Sequence, residues 1–247
     1  MFFNEIYNDF LKSKNNNLSI KYFNQTESTN EEAWENSLKL DEELIVFFTK
    51  NQKKGKGRRG SKWHSCKNKS LTFSIKKKIN PIFDKFLSLK IGIIVVKAIN
   101  KSCGIKCKLK WPNDILFNKK KIGGILIEKK DNIVVIGIGI NVNEERQDFD
   151  SEIYKKSTSL KLISNTNFHL EKILAFIINE YEIYQDTENK IILNDWIKYC
   201  DHLNDKINFH KKNKLISGRF QGLNDDGRAI IKFKNKEELI SGGLIYL

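Results

Sequence analysis

The chain has 247 residues, 40% of them hydrophobic, which is enough to bury the core of one main domain plus a small appendage without a scaffold of metals or disulfides. Its formal net charge is +14, but the Lys and Arg are spread along the whole sequence among many Asn and Ile, so the charge favours acidic partners without singling out nucleic acid. The four cysteines, at 66, 103, 107 and 200, form no C-x-x-C pair, the N-terminus lacks a secretory pattern, and no apolar run approaches the ~20 residues that span a bilayer, so a soluble, cytoplasmic protein with reduced thiols and no membrane partner is expected.

Apolar residues at Phe3, Ile6, Tyr7, Phe10 and Leu11 have helical spacing, and Asn15-Asn16-Asn17 ends it. Residues 19–24 alternate as a strand. Ser28 and Glu31 are spaced as a capping box for a short helix running to about Leu40. Capping accounts for one of Ser28 and Thr29, while a helix start also suits an anionic or polar ligand. The apolar run at 44–48 predicts a buried strand, and it leads into residues 50–63, K-N-Q-K-K-G-K-G-R-R-G-S-K-W, which hold seven Lys/Arg and no acid. Glycines at 55, 57 and 60 let consecutive N–H groups converge on phosphate or carboxylate oxygens, and Arg58 and Arg59 neutralise charge. The spacing fits a dinucleotide fingerprint, but that motif must open an apolar helix, and Ser61-Lys62-Trp63-His64-Ser65-Cys66 follows instead. A solvated basic loop, or one that clamps nucleic acid, stays open at this point.

Residues 70–75 alternate as a strand, 86–103 predict a mostly buried helix ending at Gly104, and 106–111 predict a strand that Pro112 must bend or finish. That puts Asn113 and Asp114 at a corner, either in an Asx turn or with their side chains turned inward. Residues 115–117, 121–128 and 133–140 read as strands in consecutive hairpins, which argues for a mixed or antiparallel sheet. Gly123-Gly124 and the neighbouring G-I-G-I-N from Gly137 are costly in strands unless a backbone or ligand comes close, and side by side they suggest a floor. Residues 144–168 read as polar loop with a short helix near Leu160. Helical periods cover 170–184 and 191–203, with Trp196 in the core, and short alternating runs from Lys206 onward predict a small barrel.

In order, Ser28-Thr29-Asn30, Gln52 with G-K-G-R-R-G-S-K-W, K-W-P-N-D, K-I-G-G-I-L-I-E, G-I-G-I-N and Ser241-Gly242-Gly243 form a set that resembles the biotin protein ligases over about residues 19–247. The resemblance implies an α+β fold: a mixed, largely antiparallel sheet flanked by helices, like that of class II synthetases, in a catalytic domain of residues 1–203, then a small SH3-like β-barrel of residues 204–247. It implies a ligase that forms biotinyl-5′-AMP from biotin and ATP with Mg2+, releases diphosphate, and passes biotin to one lysine of the biotin carboxyl carrier protein of acetyl-CoA carboxylase. On this resemblance biotin meets Ser28, Thr29, Asn30 and Gln52, the loop at Gly55, Lys56, Gly57 and Arg58, and the floor at Gly123 and Gly124. Lys121 bridges its carboxylate and the α-phosphate. The nucleotide side is implied for Arg58, Arg59, Gly60, Trp63, Asn113, Lys121, Ile140 and Asn141. Asp114 joins Lys121 and Arg58 in the catalytic set, as a Mg2+ ligand or a group orienting the incoming lysine. Seven like charges in an empty loop repel, so an anion should order it, and closure protects the adenylate from water.

The family's loop commonly reads G-R-G-R-R-G, and Lys56 keeps the charge without the bidentate fork, which bears on how tightly an adenylate is retained. Lipoate ligases and octanoyl transferases of the same fold are the nearest alternative. A basic nucleic-acid binder is the alternative from another class, but it needs a platform of stacking aromatics, and Trp63 alone stands in the loop. The 121–140 hairpin is expected to offer an edge to a second copy of the chain or to the acceptor's strand, and a basic ligase suits an acidic carrier. Since the pattern starts within about 20 residues of Met1, no helix-turn-helix and no operator binding are expected. Mobility shifts with duplex DNA should therefore show only salt-sensitive complexes, and a specific, salt-resistant complex would contradict this reading.

Overall fold

The computed structural model describes residues 9–12, 18–37, 44–79, 86–211, 214–234, 236–243 and 245–246. Most of the helix read over residues 3–14 and the end of the one read to Leu40 lie outside the described residues. In chain order the strands of the first part are β1 (Leu18–Phe23), β2 (Leu44–Thr49), β3 (Gly55–Lys56), β4 (Lys62–Trp63), β5 (Ser70–Lys78), β6 (Lys108–Lys110), β7 (Asp114–Phe117), β8 (Lys120–Lys130) and β9 (Ile133–Asn141). The helices are α1 (Thr29–Glu35), α2 (Leu87–Cys103), α3 (Ser151–Lys156), α4 (Leu160–Ser164), α5 (Leu170–Tyr184) and α6 (Asn189–Tyr199).

Seven strands form one sheet in the order β1-β2-β5-β9-β8-β7-β6, parallel between β1 and β2 and antiparallel elsewhere, in agreement with the mixed sheet expected. One face packs under α2 and α5 through Val46, Phe73, Ile75, Ile136 and Ile138. α2 is buried on almost every side and ends where Gly104, at φ 72°, donates its N–H to the Asn100 carbonyl. The other face carries α1, over a smaller cluster of Ala33, Ile45, Phe47 and Val135.

Three expectations change. Ser28 does stand at the N-cap of α1 in extended conformation, but its hydroxyl makes no capping bond, and Glu31 pairs with Lys56 instead of closing a capping box. The stretch read as loop after residue 144 holds α3, capped by Asp150 and too short to leave a helical period, besides the short helix expected near Leu160, which is α4, capped by Ser159. The 121–140 hairpin is not an edge over most of its length, because β9 lies between β5 and β8, and β8 between β9 and β7. β7 reaches only to Gly124, and Asn113 bonds Ile125, so among the described residues the outer side of β8 has no strand partner from residue 126 to 130.

A second, antiparallel sheet consistent with an SH3-like fold is built from β10 (Lys206–Lys211), β11 (Lys214–Leu223), β12 (Ala229–Lys232), β13 (Glu237–Ile240) and β14 (Ile245–Tyr246), in the order β13-β12-β11-β10-β14. Its Ile207, Phe209, Phe220 and Ile231 join the main core. Among the described residues no helix is long and apolar enough to cross a membrane. His202 is fully buried at the junction of the two sheets, its ring centroid 4.3 Å from that of Phe220.

Burial, with Lys110 and Lys119 nearby, pulls the His202 imidazole from 6.5 down to about 3. The unfolded chain then takes up a proton that the folded one refuses, so the stability His202 confers above 6.5 is lost as the pH falls from 6.5 toward 3. His202→Phe is expected to flatten the fall of Tm between about pH 6 and pH 4. Equal slopes for both proteins would show that His202 does not hold this neutral, buried state.

Candidate active site

The sheet face away from α2 and α5 carries a row of paired residues across five strands: Lys110 with Asp114, Asp114 with Gly124, Gly124 with Gly139, and Gly139 with Thr72. The next row holds Leu126, Gly137 and Ser74. Because a row shares one face, the glycines make a low floor with charge at one end and hydroxyls at the other. A half-open cleft lies over it. The start of α1, the 52–63 segment, the 110–114 corner, Gly243, and Ile245 of β14 complete its walls.

The glycines are required by what lies on them. A Cβ at Gly137 would stand 2.3 Å from Asn30 Oδ1, and one at Gly139 would stand 2.4 Å from the Trp63 ring. The floor is thus roofed in part by the protein's own side chains. Trp63 belongs to the short β3–β4 hairpin; its Nε1 is buried at the cleft with no hydrogen-bond partner among the described residues, and Lys121 Nζ lies 5.8 Å from its ring centroid. Between β3 and β4, Arg58–Gly60 form a single tight turn with Arg59 in the left-handed region at φ 56°.

At the hydroxyl end, Gln52 Oε1 accepts from the Thr29 N–H at 2.9 Å and from Thr29 Oγ1 at 3.3 Å. Ser74 Oγ donates to Asn30 Oδ1 at 2.6 Å and lies 2.7 Å from Thr29 Oγ1. Ser28, Thr29 and Asn30 are all nearly inaccessible to solvent, an uncommon fate for polar residues at a helix start.

At the charged end, Asp114 is held on one oxygen by Lys121 Nζ at 2.6 Å and on the other by Lys110 Nζ at 3.1 Å. Burial pushes the Asp114 carboxyl upward, but the two ammonium groups outweigh it and keep the group below the usual carboxylate range. Lys121 reaches this face through an irregularity. Residues three apart on a regular strand point to opposite faces, but the register of β8 against β7 shifts between Lys121 and Gly123, and the Lys121 ammonium lies beside Gly124. Arg58 Nη1 donates to Asn113 Oδ1 at 2.9 Å, and Asn113 Nδ2 donates to the Ile125 carbonyl at 2.8 Å. Burial first, then the charge of Arg59, lowers the Arg58 pKa. The loop is less self-repelling than its composition implies, because Lys50 pairs with Glu171, Lys54 with Glu27 and Lys56 with Glu31.

Of the residues singled out in the sequence, Ser28, Thr29, Asn30, Gln52, Lys56, Gly57, Arg58, Arg59, Trp63, Asn113, Asp114, Lys121 and Gly124 line this one cleft. Five do not. Gly55 packs against the Trp63 carbonyl and Gln52, Gly60 lies in an open turn at φ 75°, and a Cβ on Gly123 would meet the Gly139 carbonyl. Ile140 belongs to the core under α2, and Asn141 donates to the Thr158 carbonyl at 3.0 Å. Lys110, Thr72 and Gly137 line the cleft without having been singled out as site residues. Lys110 stood inside the K-W-P-N-D motif, whereas Thr72 is marked only by strand alternation, which does not say which face is the site. Among the described residues no three His, Cys, Asp or Glu are grouped to hold a metal, and both Asp114 oxygens are taken by lysines. These side chains therefore do not make a magnesium site of their own.

Residues 22–143 match the model of the biotin/lipoate A/B protein ligase family. The bifunctional ligase/repressor BirA of Bacillus spizizenii is 29% identical over 204 residues, covering 77% of this chain, and the chain spans 62% of that relative's length. The biotin--[acetyl-CoA-carboxylase] ligase of Paracoccus denitrificans is 25% identical over 235 residues, 90% of this chain and 98% of that one. Among solved structures, the biotin protein ligase from Aquifex aeolicus in complex with biotin and ATP superposes with a TM-score of 0.77 at 25% identity, over 92% of this chain and 97% of that one.

Gly139→Ala is expected to drive Trp63 off the floor, because the added methyl meets the rigid indole rather than the end of a flexible chain. Tryptophan emission should shift to the red and become more open to acrylamide quenching. Emission identical to that of the unaltered protein would show that the indole does not rest on Gly139.

Proposed function

This chain belongs to the biotin/lipoate A/B protein ligase family, and we propose that it is a biotin protein ligase. On this reading it joins biotin to ATP as biotinyl-5′-AMP and transfers the biotinyl group to a lysine of a carboxyl carrier protein. The observation that carries this is the layout of the cleft: the cations Lys121 and Arg58 at one end, a glycine floor, and Gln52, Thr29 and Asn30 at the other. A ligand with a polar cyclic amide, an apolar body and a terminal carboxylate matches that sequence of surfaces.

The first step brings a carboxylate onto the α-phosphorus of ATP, so two anions must be held in line and their charge offset. No protein nucleophile is needed. Lys121, beside Gly124 at the end of the floor, would lie between carboxylate and phosphate, with Arg58 opposite. The carboxylate oxygen bonds to the α-phosphorus as diphosphate leaves. In the second step the acceptor's uncharged lysine amine attacks the acyl carbon, AMP leaves with the bonding electrons, and the amine gives up a proton. Magnesium enters this scheme with the nucleotide's phosphates, as part of the substrate. Trp63, with its unpaired buried N–H, lies on the side read as nucleotide-binding.

Residues 1–203 are read as the catalytic domain and 204–247 as the SH3-like one, which adds Gly243 and Ile245 to the cleft. The outer side of β8 from residue 126 to 130 is the edge to which the acceptor's strand, or a second copy of the chain, would add. The net charge of +14 suits an acidic acceptor. Four unpaired cysteines suit the reducing cytoplasm.

The purified chain is expected to release diphosphate from ATP with biotin and not with lipoate. Lys121→Ala should slow adenylate formation about 10²–10³-fold, the usual cost of removing one charge-stabilising group. An undiminished rate in that variant would overturn the mechanism, and activation of lipoate alone would move the chain to the other branch of its family.

A further inference from the structure

Beyond the row of Leu126, Gly137 and Ser74, the next row of the same sheet face pairs Glu128 with Val135 and Val135 with Lys76. Its two charged members both reach up to α1. Lys76 Nζ donates to the carbonyls of Ala33 at 2.7 Å and Asn36 at 2.6 Å, which anchors the end of the helix. Glu128 works at the other end. Its Oε2 accepts from Asn30 Nδ2 at 2.8 Å and from Trp34 Nε1 at 3.2 Å.

The bond to Asn30 decides more than position. An asparagine amide has nearly the same shape after a half-turn, but donor and acceptor exchange places. A carboxylate can only accept, so Nδ2 must face Glu128, and Oδ1 is then left to accept from Ser74. After a half-turn Oδ1 would meet the Glu128 oxygen, acceptor against acceptor. Glycine at 137 lets the Asn30 amide sit flat on the sheet, and Asn30 is 5% exposed and lines the cleft. Its second N–H, which bonds no other group among the described residues, is what it can offer to a ligand.

We propose that Glu128 is a positioning residue that sets which way the Asn30 amide reads the ligand, so that Asn30 presents a donor to the cyclic amide carbonyl of biotin. This rests on the reading of the chain as a biotin protein ligase. It assigns no chemical step to Glu128, which acts through Asn30.

The oxygen that receives both donors can equally be a glutamine carbonyl, since Trp34 is donor only and fixes that end of the amide. Glu128→Gln is therefore expected to keep biotin affinity within about twofold, and Glu128→Ala to weaken it about tenfold, the worth of one well-placed hydrogen bond, while the KM for ATP holds. Glu128→Asp keeps the charge but is one methylene too short to reach Asn30, and it should behave like the alanine variant should that one not fold. Calorimetry on Asn30→Ala, alone and combined with Glu128→Ala, should give non-additive losses. Trp34→Phe, which loosens α1 but spares the Asn30 bond, should stay within about twofold. Additive losses, a tenfold loss in Trp34→Phe, or a glutamine variant as weak as alanine would overturn the proposal.

A second measurement needs no biotin. In 15N-correlated spectra the Asn30 side-chain amide should show one strongly shifted proton in the unaltered protein and in Glu128→Gln, and lose that shift in Glu128→Ala or Glu128→Asp. Unmoved Asn30 signals would overturn the proposal whatever the ligand. Failure of the unaltered chain to bind biotin, with these signals moving as expected, would instead remove the functional reading and leave the orientation of Asn30 established.

Discussion

The site depends on how closely polar and aromatic side chains come down onto the sheet at Gly137 and Gly139. A methyl group at either position would occupy the space of the Asn30 amide or the Trp63 indole. Glycine weakens a strand, but here the weak stretch of β9 lies between β5 and β8 and is registered against both along most of its length. The sheet supplies the order that the glycines lack. Both walls of the cleft follow from that closeness: the start of α1 lies low enough for Thr29 to bond Gln52, and the β3–β4 hairpin lies flat enough for Trp63 to face Lys121.

Electrostatics solves a second problem, that of keeping cations in place before an anion arrives. Lys121 and Lys110 share the Asp114 carboxylate, whose own burial is made tolerable by the two of them. Arg58 is fixed differently, by a neutral amide oxygen of Asn113 that is itself tied to the backbone of β8. The groups are thus aimed in advance, which is how charge stabilisation is made cheap at the moment of reaction. Three of the loop lysines pair with carboxylates, Lys54 with Glu27 and Lys56 with Glu31 at the surface and Lys50 with the buried Glu171, and together these pairs relieve the repulsion that a string of like charges implies.

The second sheet is more than an appendage. Phe220 and His202 pack ring against ring at a tilt where it meets α6, and Gly243 and Ile245 reach the cleft. A substitution at that junction can therefore alter the site without touching the main sheet. Gly242 also lies beside the site, since a Cβ there would be in ordinary contact with Arg58 Nη2 at 3.5 Å.

Strand alternation, turn residues and glycine punctuation in the sequence by themselves determined the hairpins of β7 to β9, helices α2 and α5, and the run of short C-terminal strands, because those signals are local and several residues long. They missed α3, a helix too short to leave a period, and predicted a capping box at Ser28 that does not form, because the partner of Glu31 comes from a distant loop. Ordered motifs brought thirteen residues to one cleft but also carried in Gly123 and Ile140, which alternate onto the other face of the sheet, and Asn141, whose amide is bonded to the Thr158 carbonyl. Only the tertiary structure decided which sheet face is the site, that a register shift turns Lys121 onto it, that Lys110 and Asp114 neutralise each other, and that Glu128 meets Asn30 across 98 residues of chain. The physical reason is that each of these depends on pairing between strands far apart in sequence, and a shift of one residue in such a pairing sends a side chain to the opposite face.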